Sequence, residues 1–462
     1  MGWRTFPYAL VALGVAGLLG TVFGDHARAG DSLCTGSYGA PAPRLGAPLR
    51  FGIDPGLVGS VGGVQLPSAP DSVARDVSAS QGLRPPGRVL VVRLNRLFWS
   101  GGEAAIDQFK AQVARYAAAG LELQVRYHPG PGEDGNLAAW RAYVRHVVDV
   151  FGPNPRVVAM TITNEVNVNF SPNTSDGGYT SARDALIQGI EAAQAEARQR
   201  GFAQLRFGFT YAYRFSPAGD AAFFSYLGAH GGKAFWSALG FVGLDFYPGS
   251  VYPPVMAPGD SYRAEMAQAL GTVRSCFLPM AGIGFRVPIW ITENGVPTGA
   301  SMSEARQASA LTQLVAAARS YSGTFDVTDY RWFNLRDSSA SAAGSLPGVA
   351  ATFTTDGLMR ADYSAKPAYA AYRAAISDFG RCAATSARVG VRSERRPVRR
   401  VTVFLGRQRV GRAQGRDVRV VRVRQPPAAS FTLRFVLGLR GGRTVVYRRR
   451  YAERGCAVAP AA

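Results

Sequence analysis

Between residues 45 and 380, segments typical of β-strands alternate with segments typical of α-helices. Eight apolar runs have strand character, and they cover residues 48–54, 88–94, 121–127, 156–163, 205–211, 239–247, 287–292 and 325–333. Helical periodicity lies between them, most clearly in residues 104–120, 138–152 and 303–320. Such alternation predicts a parallel sheet with helices on both faces. Eight strands in about 335 residues favour a closed (β/α)8 TIM barrel over an open doubly wound sheet.

The last eighty residues have a different pattern. Residues 383–462 alternate apolar and basic side chains between glycine turns, which predicts a small antiparallel β domain, sandwich-like, with one buried face. Twenty arginines and three acidic residues in this segment account for +17 of the chain's formal net charge of +21. We interpret the arginines as a solvated face or, alternatively, as a surface for an anionic cell-wall polymer or polysaccharide. Sparse aromatic residues argue against nucleic acid.

The amino terminus is typical of an export signal. Arg4 precedes an apolar run, and Ala27-Arg28-Ala29 offers a cleavage site before Gly30. We therefore predict a signal peptide over residues 1–29, a linker over 30–44 and a secreted protein that is either released or retained at the cell surface. An uncleaved membrane anchor is the alternative, because the apolar run is near the shortest length that spans a bilayer.

The four cysteines, Cys34, Cys276, Cys382 and Cys456, fit no zinc-binding spacing. Cys382 and Cys456 bracket the basic segment, so in an oxidising compartment they could pair and stabilise it by roughly 4 kcal/mol. Cys34 could pair with Cys276, although two buried free thiols explain this pair nearly as well.

Two glutamates follow strands on the same predicted rim. The fourth strand segment closes with Asn164-Glu165, and the seventh closes with Glu293 before Asn294-Gly295. The carboxyl ends of barrel strands form one face, which is the catalytic face of such barrels. Two carboxyl groups across one pocket are what glycoside hydrolysis requires, one as proton donor and one as nucleophile.

On these residues the sequence resembles the retaining glycoside hydrolases of clan A, in which an Asn-Glu pair ends strand four and a second Glu ends strand seven. The resemblance implies that Glu165 is the general acid/base, that Glu293 is the nucleophile and that Asn164 binds the 2-hydroxyl of the sugar. It further implies a tyrosine that hydrogen-bonds the nucleophile, Tyr247, and an arginine that keeps it ionised, Arg93. Trp332, on strand eight, would be the aromatic platform beneath the reacting sugar.

Within the clan, ITENG is similar to family 1, but Asn164-Glu165-Val166 lacks the proline usual in that family. Chain length and the segment 332–337 are closer to cellulase-like family 5 or to family 39. Two residues after strands are further candidates for sugar binding. His128 is a possible donor or an ordinary loop cap, and Trp99 is a possible subsite platform. No cluster has metal-ligand spacing, and no cofactor is implied.

The sequence thus predicts a secreted β-glycosidase or endoglycanase that retains anomeric configuration and acts on β-linked oligo- or polysaccharides. A non-catalytic cell-surface protein that binds carbohydrate or polyanions is the alternative. The sugar, the linkage, endo or exo action and the oligomeric state are left open.

Overall fold

The computed structural model describes residues 34, 41–55, 59–61, 64–66, 72–169, 174–214, 216–252, 254–256, 258–338, 353–383, 386–392, 396–424, 430–454 and 456–460. The predicted signal peptide lies outside the described residues, and export therefore stays a prediction. Every helix of the described part of the chain is too short or too polar to cross a bilayer.

Eight parallel strands close into the predicted barrel. They are β1 (Arg50–Ile53), β2 (Leu90–Phe98), β3 (Gly120–Arg126), β4 (Val157–Ile162), β5 (Arg206–Ala212), β6 (Phe241–Phe246), β7 (Ile289–Asn294) and β8 (Val327–Trp332). Each strand pairs with its successor in the chain, and β1 closes the barrel by pairing with both β2 and β8. A short hairpin of Gly59–Val61 and Val64–Leu66 follows β1. All eight strand segments predicted from the sequence are confirmed.

Ten helices among the described residues cover the barrel. They are α1 (Val73–Leu83), α2 (Gly102–Arg115), α3 (Leu137–Phe151), α4 (Ala182–Arg200), α5 (Pro217–His230), α6 (Gly232–Ala238), α7 (Tyr262–Thr272), α8 (Leu278–Met280), α9 (Glu304–Ser320) and α10 (Pro367–Phe379). The third helix illustrates how the sequence determines where a helix begins and which face it buries. Asn136 caps α3 by accepting from the backbone N–H of Ala139, and Trp140, Val144 and Val148 bury one stripe against the strands.

Residues after the barrel form one antiparallel sheet. Its strands are β9 (Ser386–Gly390), β10 (Val398–Leu405), β11 (Gln408–Gln414), β12 (Val420–Arg424), β13 (Ser430–Leu439), β14 (Thr444–Arg454) and β15 (Ala457–Pro460), in the order β9-β12-β11-β10-β13-β14-β15. Val401, Val403, Leu433 and Phe435 lie in a core on one face. The predicted sandwich-like arrangement is wrong, because a single sheet curls until β9 and β15 touch and so encloses its own apolar face.

All four cysteines are paired. Cys34 bonds Cys276, and Cys382 bonds Cys456, with Cα–Cα distances of 5.7 and 5.5 Å. The alternative of two free thiols at Cys34 and Cys276 is therefore not realised. The second bond joins the end of the barrel domain to the last hairpin of the sheet.

Candidate active site

Glu293, at the end of β7, is held by two donors. The Nη1 atom of Arg93 on β2 lies 2.5 Å from Oε1, and the hydroxyl of Tyr247, just after β6, donates to Oε2 at 2.6 Å. Arg93 is fully buried, and its Nε lies 3.5 Å from the carboxylate of Glu122 on β3. Burial by itself would lower the pKa of Arg93, but Glu293 and the neighbouring carboxylates raise it above its ordinary value. Glu293 therefore sits where its anionic form is stabilised, as predicted for a nucleophile.

Glu165, in the loop after β4, has a less polar environment. It is half-buried, and its carboxylate accepts one hydrogen bond, from the hydroxyl of Ser175 at 2.7 Å. Burial and the charge of Glu293 raise the pKa of Glu165 to about 7. Thr163 and Glu165 have φ angles of 68° and 46°, which are unfavourable for side chains with a Cβ and aim this turn into the barrel mouth. A carboxyl group with a raised pKa near neutrality can act as an acid and then as a base.

The two glutamates face each other. Carboxylate oxygens of Glu165, Glu293 and Asp245 lie within 4.8 Å of one another. Retaining glycosidases have carboxyl groups about 5–5.5 Å apart, whereas inverting enzymes need about 6.5–9.5 Å to admit a water. One carboxylate oxygen of Glu165 thus lies no more than 4.8 Å from one of Glu293. The same three carboxylates could in principle hold a cation, but Arg93 already supplies a positive charge against Glu293.

Asn164 is buried and firmly positioned beside Glu165. Its Oδ1 accepts from Gln124 on β3 and Thr210 on β5, both at 2.7 Å, and its Nδ2 donates to the carbonyl of Thr174 at 2.8 Å. One N–H of the amide is thus left for a ligand. Its contact with a sugar hydroxyl stays a prediction.

Asp245 is a site residue that sequence reasoning missed. Its Oδ1 accepts from Thr292 at 2.6 Å, while Oδ2 is buried and has no hydrogen-bond partner among the residues that the structure describes. Burial first, and then the charge of Glu293, hold the pKa of Asp245 well above its ordinary range. A signal was available, since Asp245 precedes Tyr247 by two positions and alternate residues of a strand share one face.

Arg96 is the other missed residue. Its φ angle is 72°, and the carboxylates of Asp54, Glu293 and Glu165 act on it electrostatically. Burial and the nearby Arg126 lower the pKa of Arg96 to about 10, which leaves it positive at neutral pH. No strand-end pattern singles out a residue within β2.

Trp332 does not form the predicted platform. Its side chain is fully buried, and its indole N–H donates to the carbonyl of Asp356 at 2.9 Å. The next residue, Phe333, packs edge-on against Tyr247 with ring centroids 6.1 Å apart. Phe333 is therefore the aromatic residue that this strand end brings to Tyr247, which donates to Glu293.

Trp99 and His128 lie farther along the rim. Trp99 is 8% exposed, since it stacks on Tyr127 and packs against Trp140, and its role as a subsite platform stays a prediction. His128 is half-buried, with Nδ1 3.0 Å from the hydroxyl of Ser100. Its sugar contact stays a prediction.

No protein-family model matches the sequence, and no curated protein matches it. Solved structures similar in fold are glycoside hydrolases. A GH5_18 protein from Streptomyces cattleya in complex with GlcNAc has 14% identity and a TM-score of 0.49, over 72% of this chain and 80% of that chain. A β-glucuronidase from Bacteroides uniformis has 12% identity and a TM-score of 0.42, over 82% of this chain and 43% of that chain.

At these identities and TM-scores the structural neighbours do not define a function for this chain. Its function is therefore inferred from the geometry of the site. The chain is an eight-stranded parallel barrel protein whose carboxyl-end rim brings two glutamates together. Glu293 accepts from Arg93 and Tyr247, while the pKa of Glu165 is raised to about 7.

Proposed function

We propose that the protein is a retaining β-glycosidase or endoglycanase, with Glu293 as nucleophile and Glu165 as general acid/base. One observation carries the proposal. The two carboxylates lie within 4.8 Å of each other in opposite electrostatic environments. Two carboxyl groups with such different surroundings match the double-displacement mechanism, and the short distance between them disfavours an inverting mechanism.

In the first step Glu165 gives its proton to the glycosidic oxygen while Glu293 attacks the anomeric carbon from the opposite face. The bond to the leaving sugar breaks and a glycosyl ester on Glu293 forms. In the second step Glu165, now a carboxylate, takes a proton from water as that water attacks the anomeric carbon and releases Glu293. Arg93 and Tyr247 hold the two oxygens of Glu293, so its charge is balanced before attack and after release.

The finer assignments belong to the same proposal. The chain would be a clan A enzyme similar to family 5 or family 39, acting on a β-linked oligo- or polysaccharide, with no cofactor needed. Export is supported by the two disulfides, which persist in oxidising compartments.

A screen of aryl β-glycosides and polysaccharides tests the proposal, with the first-formed anomer read by proton NMR. We expect the β-anomer to appear first and Glu293→Gln to abolish turnover. Glu165→Ala should spare substrates with good leaving groups, because they need no proton, and azide should restore its turnover. Glycan binding without hydrolysis, or an α-anomer first, would refute the proposal.

A further inference from the structure

The C-terminal sheet concentrates positive charge on one face. Because alternate residues of a strand point to opposite faces, the buried core residues fix which positions point outward. Outward arginines occur on six of its strands, β9 to β14, and members on five of these strands form the group defined next. We call the following group the arginine face: Arg388, Arg412, Arg422, Arg434, Arg448 and Arg450.

The strand register places these arginines next to one another. Arg388 on β9 lies directly opposite Arg422 on β12, and Arg434 on β13 lies directly opposite Arg448 on β14. Gly411 on β11 pairs with Val423 on β12, and this places Arg412 beside Arg422. Adjacent strands are about 4.8 Å apart. The face therefore holds closely spaced rows of guanidinium groups rather than scattered surface charges.

The described residues supply little compensation for this charge. Among strand side chains that the structure describes, no outward position carries a carboxylate. Asp417, in the turn before β12, instead binds Arg419 at 2.7 Å. Like charges directly opposite each other destabilise a sheet. An anion bound across the rows would remove this unfavourable contribution, and guanidinium forks match carboxylate and phosphate oxygens in geometry.

We propose that the arginine face binds a linear anionic polysaccharide bearing carboxylate or phosphate groups. The choice of a carbohydrate rests on the proposed function, since the same chain carries a candidate glycosidase site. The choice of an anionic ligand rests on its charge complementarity to the arginine face. Cys382 lies beside Arg88, just before β2, so the disulfide Cys382–Cys456 ties the sheet to the end of the barrel opposite the glutamate rim.

Nucleic acid and anionic membranes fit the arginine face less well. Phe404 is the outward aromatic residue of β10, and Arg434 covers its ring at 4.3 Å, which leaves no free platform for stacking nucleic-acid bases. Insertion into an anionic membrane needs a continuous apolar face, whereas the exposed Val420 and Val446 stand on separate strands among arginines.

The test uses the full-length protein and measures binding to polygalacturonate and to phosphorylated dextran, with neutral dextran as control. The face variant replaces four arginines with glutamine: Arg388→Gln, Arg422→Gln, Arg434→Gln and Arg448→Gln. A matched control removes the same charge from exposed hairpin turns of the sheet: Arg407→Gln, Arg416→Gln, Arg440→Gln and Arg443→Gln. Thermal unfolding of each variant shows whether the sheet stays folded, and the double variant Arg434→Gln/Arg448→Gln is a milder substitute.

We expect salt-sensitive binding to at least one charged polymer and none to dextran. The face variant should weaken it on the order of tenfold or more, and the turn variant far less. Equal losses in both variants would overturn the proposal, as would tighter binding to single-stranded DNA or to phosphatidylglycerol vesicles. Turnover of a small aryl glycoside should be unchanged in the face variant. If the protein binds the polymer but cleaves no glycoside, the proposed binding surface is supported and the proposed hydrolase function is refuted.

Discussion

At the scale of single residues, two identical side chains differ through their neighbours. Glu293 has a donor on each oxygen, from Arg93 and Tyr247, while Glu165 has one hydroxyl and faces the charge of Glu293. Hydrogen bonds and a cation stabilise a carboxylate, whereas burial and a like charge favour its protonated form. The roles therefore follow from the surroundings and not from residue type.

The first prediction concerns pH. The raised pKa of Glu165, about 7, means that the proton needed by the leaving group is present below this value and is lost as pH rises through it. We expect kcat/KM for a poor leaving group to fall above about pH 7. In Glu165→Ala, measured with an activated aryl glycoside and azide, this basic limb should vanish. If kcat/KM of this variant still fell at high pH, a group other than Glu165 would be responsible for the fall.

A second prediction concerns Asp245. Because burial and the charge of Glu293 hold the pKa of Asp245 well above its ordinary range, its neutral form is favoured, and an amide of the same shape can replace it. Asp245→Asn should keep kcat/KM within about threefold, since its amide oxygen can still accept from Thr292. Asp245→Ala removes that acceptor and should destabilise the protein by about 1–3 kcal/mol in urea unfolding. A large loss of activity in Asp245→Asn would show that an ionised carboxylate is required.

The meeting of Glu165 and Glu293 at one rim could be predicted from sequence because each residue follows a barrel strand at its carboxyl end. Arg93 and Tyr247 followed from the resemblance, and the structure places both on Glu293. The aromatic residue could not be fixed so well. A shift of one residue along a strand reverses the face of a side chain, and this separates Trp332 from Phe333.

At the scale of elements, one buried aspartate joins the ends of two barrel strands. Asp176 accepts from Arg126 Nε at 2.9 Å, from the backbone N–H of Tyr127 at 3.1 Å and from that of Asn164 at 2.8 Å. These contacts fix the loops after β3 and β4, and so they orient Glu165. Asp176 lies twelve positions after Asn164, in a loop where no periodic pattern marks it.

The third prediction follows from this junction. Asp176→Ala leaves Arg126 buried and without this ion pair, so we expect a loss of about 3–5 kcal/mol in the free energy of unfolding. Activity should fall as well, because the turn that carries Glu165 loses its anchor. Asp107→Ala is a matched control, since Asp107 forms an exposed pair with Lys110, and its effect should be below about 1 kcal/mol. Equal stability of the two variants, by urea titration, would contradict the anchoring role.

Strand and helix positions were predictable within a few residues because hydrophobic periodicity is local. The second strand runs on to Phe98, four residues beyond its predicted end, because a register shift between Leu94 and Leu97 lets it continue past the regular pairing. The curl of the C-terminal sheet was not predictable, since it depends on contact between β9 and β15, whose sequences lie far apart.

At the scale of the whole molecule, the barrel and the C-terminal sheet can be observed separately. All six tryptophans occur at or before residue 332, so tryptophan fluorescence reports on the barrel and not on the sheet. The sheet contributes Tyr447 and Tyr451 and much of the antiparallel β signal in circular dichroism. Each disulfide belongs mainly to one of these parts, since Cys34 packs in the barrel core and Cys456 lies between β14 and β15 of the sheet.

The fourth prediction uses this division. Cys382 and Cys456 are 74 positions apart, and opening a loop of this length should destabilise the sheet by roughly 4 kcal/mol. In Cys382→Ser/Cys456→Ser, the dichroism transition should move to lower urea while the tryptophan transition and small-substrate turnover stay in place. Cys34→Ser/Cys276→Ser should do the reverse and move the tryptophan transition. If either pair moved both transitions together, the barrel and the sheet would unfold as one unit, because a loop constraint confined to one unit cannot shift the equilibrium of an independent one.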